Sequence, residues 1–365
     1  MLVQRHVFAL PSFTTASGRT LKDVRVGYET YGSLNAARDN AIVVCHYFAG
    51  TAHAAGRYQE SDPLPGWWDG VIGPGKIFDT DRYFVVCSDT LCCLPVLDKR
   101  VVTTGPATIN PDTGKPYGLD FPVLRYQDLV RVQKALLDSL GVSRLVAVAG
   151  PSAGGFQALE WSVEFPDMVP RVVAVVTPGT SMEAHYLAVA DYWVRPILTD
   201  PAWQNGNYDL DKQPRVGLTE ALRIATISSM TESTLRMLGN LDPADPAHPP
   251  SESILNEYMC AKRIGDMARA SSMMIDANHY LYLVRAGQLF NVEDRLSRAK
   301  AKYLFVPVAT DTVARVTTNE AAVDKVRAAG LRAELKVMQT PGGHLDGLTL
   351  LPLVKDEITA FLNSD

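Results

Sequence analysis

The chain has 365 residues, 47% of them hydrophobic and 21% charged, with a formal net charge of −5, the balance of a soluble globular protein with a sizeable core in one large domain or two smaller ones. No basic run points to a nucleic-acid partner, and no apolar stretch approaches the roughly 20 residues that cross a bilayer, so no membrane association is expected. Met1 to Leu10, interrupted by Arg5 and His6, has no apolar segment of the secretory type.

Val24 to Thr30 alternates and predicts an early antiparallel strand. Ala41 to Cys45 predicts a short buried strand running into His46-Tyr47-Phe48-Ala49-Gly50. Gly66 to Gly70 and Ile72 to Gly75 form a Gly/Pro loop. Arg82 to Asp89 predicts another buried strand, and Thr90 to Gly118 a long aperiodic connection of the kind that is more often functional than idle. Leu129, Val132, Leu136, Leu137 and Leu140 give Tyr126 to Leu140 a helical face, stopped at Gly141.

The apolar run Leu145 to Ala149 then meets Gly150-Pro151-Ser152-Ala153-Gly154, a G-x-S-x-G set directly after a strand, with a helical pattern following up to Phe165-Pro166. A tight strand-to-helix turn pushes the serine side chain outward, and the helix N-terminus aims free N–H groups at the place where negative charge would develop.

Arg171 to Val176 is one more strand. From Thr180 to about Val292 the pattern is helical and rich in methionine, which tolerates irregular packing; it reads as an insertion over the sheet edge. Strand signals resume at Lys302 to Val308, ending at Thr310-Asp311, and at Ala333 to Met338, ending at Pro341-Gly342-Gly343-His344. Helices at Asn319 to Ala329 and Leu350 to Leu362 accompany them. Near-continuous apolar strands alternating with helices predict an α/β fold with a mostly parallel, doubly wound sheet. The five cysteines are odd in number and lack metal-type spacing, which fits reduced thiols and a cytoplasmic setting; no metal and no cofactor are expected.

Ser152, Asp311 and His344 each fall just past a strand end, where ligands meet such sheets. A serine hydroxyl becomes nucleophilic when an imidazole takes its proton, and a carboxylate fixes that imidazole's tautomer. The order serine, acid, histidine is the α/β-hydrolase order. Asp89 is an alternative acid, Asp346 a candidate helix cap, and His46, His53, His185 and His279 structural or pocket-lining candidates. The backbone N–H groups of Phe48 and Ala153 are the candidate oxyanion donors.

At this point the chain resembles the homoserine O-acetyltransferase family of α/β hydrolases over nearly its whole length. The resemblance is carried by Gly66-Trp67-Trp68-Asp69-Gly70, Asp79-Thr80-Asp81-Arg82-Tyr83-Phe84, Thr104-Gly105-Pro106, Gly114-Lys115-Pro116-Tyr117-Gly118, Gln157-Ala158-Leu159-Glu160-Trp161 and Asp276-Ala277-Asn278. It implies a core of residues 1–180 and 296–365, a helical lid over 181–295, an acetyl-serine on Ser152 and a homodimer built from lid helices. The family holds transferases, which acetylate homoserine from acetyl-CoA, and esterases, which pass the acetyl group to water. The transferase pattern has an aspartate directly after the histidine, where this chain has Leu345. It has a lid tyrosine where this chain has Ser229, and a lid arginine at a position falling on Val194, with Arg195 one residue later. Together with Tyr47, these residues are expected to line an acceptor pocket too apolar for a zwitterion. The resemblance therefore implies a serine carboxylesterase acting on small acyl esters, acetates of short apolar alcohols, with homoserine acetyl transfer as the alternative and a non-catalytic binding protein as a remote one.

Overall fold

A computed structural model describes residues 1–364. One eight-stranded sheet, ordered β1-β2-β4-β3-β5-β6-β7-β8, organises the chain. Its strands are β1 (Arg5–Thr14), β2 (Thr20–Tyr31), β3 (Ala41–Val44), β4 (Phe84–Ser88), β5 (Leu145–Pro151), β6 (Arg171–Val175), β7 (Lys302–Val306) and β8 (Ala333–Leu335). β1 pairs antiparallel with β2, and β2 antiparallel with β4; all other neighbours are parallel. The central strands are apolar throughout because both faces are covered. Val43, Val148, Val172, Ala174, Tyr303 and Phe305 point into one core; Ile42, Ala147, Ala149, Val173, Val175 and Val306 point into the other. This is the period-2 alternation of a pleated strand.

The first core is covered by α1 (Tyr126–Ser139) and α2 (Ala153–Glu164). Between β6 and β7 come five helices: α3 (Ala184–Thr199), α4 (Arg215–Ser228), α5 (Glu232–Met237), α6 (Met259–Ser272) and α7 (Ala277–Gln288). α3 packs on α4 and α7, and α4 on α6. The last part carries α8 (Val316–Ala328), also on the first core, the single turn α9 (Asp346–Thr349), and α10 (Lys355–Asn363), which covers the second core with Trp68, Ile72 and Phe78 of the Gly-rich loop.

Several expected bounds shift. β1 was not expected; its side chains are largely exposed, and Pro11, which has no N–H to give a ladder, suits an edge strand. The expected closing helix breaks at Pro352 into a short 3-10 turn and α10. β8 is shorter than Ala333 to Met338, with a single bridge from Val308 to Met338 prolonging the pairing. The five cysteines are unpaired. Among the described residues no helix is long and apolar enough to cross a membrane.

Candidate active site

β5 delivers Ser152 at the carboxyl edge of the sheet. The residue has φ 54° and ψ −118°, a left-handed conformation that costs about 1–3 kcal/mol for a non-glycine residue and persists only where its surroundings impose it. They do so through close packing. A Cβ on Gly154 would lie 2.1 Å from the Cys45 carbonyl oxygen, and one on Gly150 would lie 2.5 Å from Gly154. Only glycine lets α2 press this closely against the ends of β3 and β5. The Ser152 N–H donates to the Val175 carbonyl at 2.8 Å, which fixes the turn to β6.

The loops after β7 and β8 bring the partners from the far end of the chain. Ser152 Oγ lies 2.9 Å from His344 Nε2, and His344 Nδ1 lies 2.8 Å from Asp311 Oδ2. Asp311 Oδ1 accepts from the Val313 and Ala314 N–H groups at 2.8 and 3.0 Å, so the buried carboxylate is oriented from two sides. With Nδ1–H donating to Asp311, Nε2 is left to accept from the serine hydroxyl. An imidazole so placed can take the hydroxyl's proton as the oxygen attacks an electrophile.

The second loop of the site, His46 to Ala55, is held by buried groups. Asp89 Oδ1 accepts from the Ala52 N–H at 2.8 Å, while Oδ2 pairs with Arg5 at 2.8 Å and accepts from the Val102 N–H at 3.0 Å. Tyr31 Oη accepts from the Ala54 and Ala55 N–H groups at 2.9 and 3.1 Å. The Gly50 N–H closes a turn onto the Tyr47 carbonyl, with Phe48 inside the turn. Ala153 is the first residue of α2, ahead of the intrahelical ladder, so its N–H is not claimed by the helix. Phe48 and Ala153 both line the space beside Ser152.

That space is a cavity of about 410 Å³. Tyr47, Ser229 and Leu345 line it, as expected. Val194 and Arg195 do not. α3 turns about 100° per residue, so Trp193 faces the cavity, Val194 packs into the core and Arg195 points to solvent, paired with Asp191 at 2.9 Å. Sequence reasoning also missed Leu222, Ala225 and Thr226 on α4, and Met267, Ser271 and Met274 on and just after α6. Their helical spacing was visible, but a stripe facing a cavity looks the same in sequence as one facing a core. Of the described residues lining the cavity, none is Asp, Glu, Lys or Arg.

The remaining candidates lie elsewhere. Asp89 is engaged by Arg5 and has no contact with His344. Asp346 is not a helix cap; its carboxylate accepts from the Gly342 N–H at 2.6 Å and closes the turn before His344. His53 pairs with buried Glu29 at 3.1 Å, and His185 lines a smaller neighbouring cavity of about 210 Å³. Burial holds the His46 and His279 imidazoles below their ordinary value of 6.5. His279 Nε2 accepts from the Ala107 N–H at 3.3 Å, which leaves Nδ1–H to donate to the Cys93 carbonyl at 3.0 Å.

Comparison with known proteins places these features in context. A family model described as alpha/beta hydrolase fold matches residues 96–287. The homoserine O-acetyltransferase of Symbiobacterium thermophilum is 38% identical over 353 residues, covering 95% of this chain and 90% of that protein. Among solved structures, esterase E22 superposes with a TM-score of 0.95 at 42% identity, covering 99% of this chain and 100% of that one. The homoserine O-acetyltransferase of Bacillus anthracis superposes with a TM-score of 0.94 at 36% identity, covering 100% of this chain and 99% of that one.

Proposed function

This chain belongs to the homoserine O-acetyltransferase family of α/β hydrolases, and from that premise we propose that it is a serine carboxylesterase hydrolysing small acyl esters, acetates first. Ser152 Oγ attacks the ester carbonyl carbon while its proton passes to His344 Nε2, and Asp311 stabilises the imidazolium. The tetrahedral oxyanion rests on the Phe48 and Ala153 N–H groups. Collapse breaks the bond to the alcohol, which leaves with the proton from His344. Water, deprotonated by the same nitrogen, then cleaves the acyl-serine and releases the acid.

The observation that carries the esterase reading is the chemistry of the cavity beside Ser152. Homoserine brings an ammonium and a carboxylate, and a buried charge without a partner is costly. The described lining offers no Asp, Glu, Lys or Arg; Leu345 and Ser229 stand where the transferase pattern has an aspartate and a tyrosine. The likeness to esterase E22 supports the same reading. Homoserine acetylation from acetyl-CoA is the second reading, favoured by the name of the 38% identical relative. The exposed Met237, Leu241, Ile254 and Leu255 of the insertion support a homodimer in either case.

Two assays separate the readings. Hydrolysis of p-nitrophenyl acetate with no homoserine-dependent release of CoA from acetyl-CoA is the expected pair of results. Release of CoA that rises with homoserine, at a rate matching or exceeding ester hydrolysis, would overturn the esterase reading.

A further inference from the structure

The cavity beside Ser152 is larger than an acetate of a short alcohol requires. A dry apolar cavity of about 150 Å³ is enough for benzene, and this one measures about 410 Å³. Void space against apolar walls forfeits dispersion contacts, so such a cavity favours a ligand that fills it.

Its direction also matters. The leaving oxygen must sit within hydrogen-bond reach of His344 Nε2 to collect its proton, so the alcohol half of the ester lies on the His344 side. Leu345 directly follows His344 in the chain and lines the cavity together with Leu348, Ser229 and Met230. Met267 on α6 and Met274 just after it also line the cavity while remaining exposed to solvent, which makes them its rim. Flexible thioether side chains at a mouth adapt to apolar groups of differing shape. The lining of the cavity is thus mostly apolar and, among the described residues, free of Asp, Glu, Lys and Arg.

We propose that the preferred substrates are short-acyl esters of medium-length alkyl or aryl alcohols, six to eight carbons on the alcohol side, rather than the short alcohols the sequence alone suggested. The inference rests on the esterase reading. Each methylene moved from water onto the wall raises kcat/KM about fourfold, until the alcohol reaches the rim and further carbons stay in water.

The test is a homologous series of acetates, ethyl, butyl, hexyl, octyl and 2-phenylethyl, followed by acid release with the intact enzyme. The expected result is kcat/KM climbing steeply from ethyl to hexyl and levelling by octyl, with 2-phenylethyl acetate close to hexyl. In a Met274→Trp variant, which narrows the rim, the hexyl-to-ethyl ratio falls at least tenfold. Should that variant not fold, inhibition of ethyl acetate hydrolysis by 1-hexanol and ethanol gives the same comparison, with hexanol expected to bind far more tightly. A flat or falling series with ethyl acetate fastest overturns the proposed alcohol class and leaves the esterase reading standing. No hydrolysis of any member, together with homoserine-dependent CoA release, overturns both.

Discussion

Ser152 and Asp311 were legible in the sequence because each follows an apolar run that reads as a buried strand, and His344 because it closes the loop after the weaker, alternating Ala333 to Met338. Chemistry gathers at the carboxyl ends of parallel strands, so three reactive side chains at three strand ends point to one place. Val194 and Arg195 were misjudged for a reason of the same scale: on a helix a shift of one residue rotates a side chain by about 100°, and the true cavity residue is Trp193. Replacing Ser152 with alanine should lower kcat on p-nitrophenyl acetate by about 10⁶-fold if its oxygen is the nucleophile. The alanine variant should unfold at the same temperature as the parent or higher, since φ strain is not made worse by losing the hydroxyl. Retained turnover would exclude Ser152 from the reaction.

At the scale of elements, the join between α4 and α5 grips the loop that carries His344. Thr231 Oγ1 donates to the Pro341 carbonyl at 2.8 Å, and Thr234 Oγ1 to the Gly342 carbonyl at 3.4 Å. On the other side, Thr312 Oγ1 donates to the Ser228 carbonyl at 3.2 Å, next to Asp311. The insertion therefore touches both loops that bring partners to Ser152. No sequence pattern announced this, because a threonine at a helix start reads first as a cap, and Thr231 is one: it also accepts from the Thr234 N–H. Thr231→Val removes the cap and the tie to Pro341 together. Losing one such hydrogen bond costs about 1 kcal/mol, so kcat should fall up to about fivefold with KM little changed. Steady-state kinetics on one ester reads that split, and a change confined to KM would refute the coupling.

For the whole molecule, the parallel strands were easy to find and the edge was not. β3 to β7 are apolar on both faces and leave nothing else for their sequence to do. β1 lies at the open edge with exposed side chains and a proline, so its pattern resembles a loop. Yet that edge matters, since Arg5 on β1 neutralises Asp89, which holds Ala52 and with it the Phe48 loop. Burial also sets a pH response. His46 and His279 stay neutral in the folded chain because burial lowers both below 6.5, while in the unfolded chain each takes a proton as pH falls through that value. Stability is therefore full above about pH 7 and declines as pH falls towards the folded values. Asp89, Asp128 and Glu160, which burial raises, act with the opposite sign, in windows that begin at their ordinary 3.8 and 4.5. The unfolding temperature should drop between about pH 7.5 and pH 5.5, and drop less in a His279→Gln variant, whose amide can meet both the Cys93 carbonyl and the Ala107 N–H. A flat profile in the parent would refute it.

The long insertion between β6 and β7 has a consequence for the chain during its manufacture. With the elements on either side of it, it sets the hydroxyl and the imidazole 192 positions apart. At about 5–20 residues per second, roughly 10–40 seconds pass on the ribosome between the first and the second. A nascent chain halted anywhere in that interval carries a serine with nothing to arm it, so unfinished copies would do no damage to the esters around them.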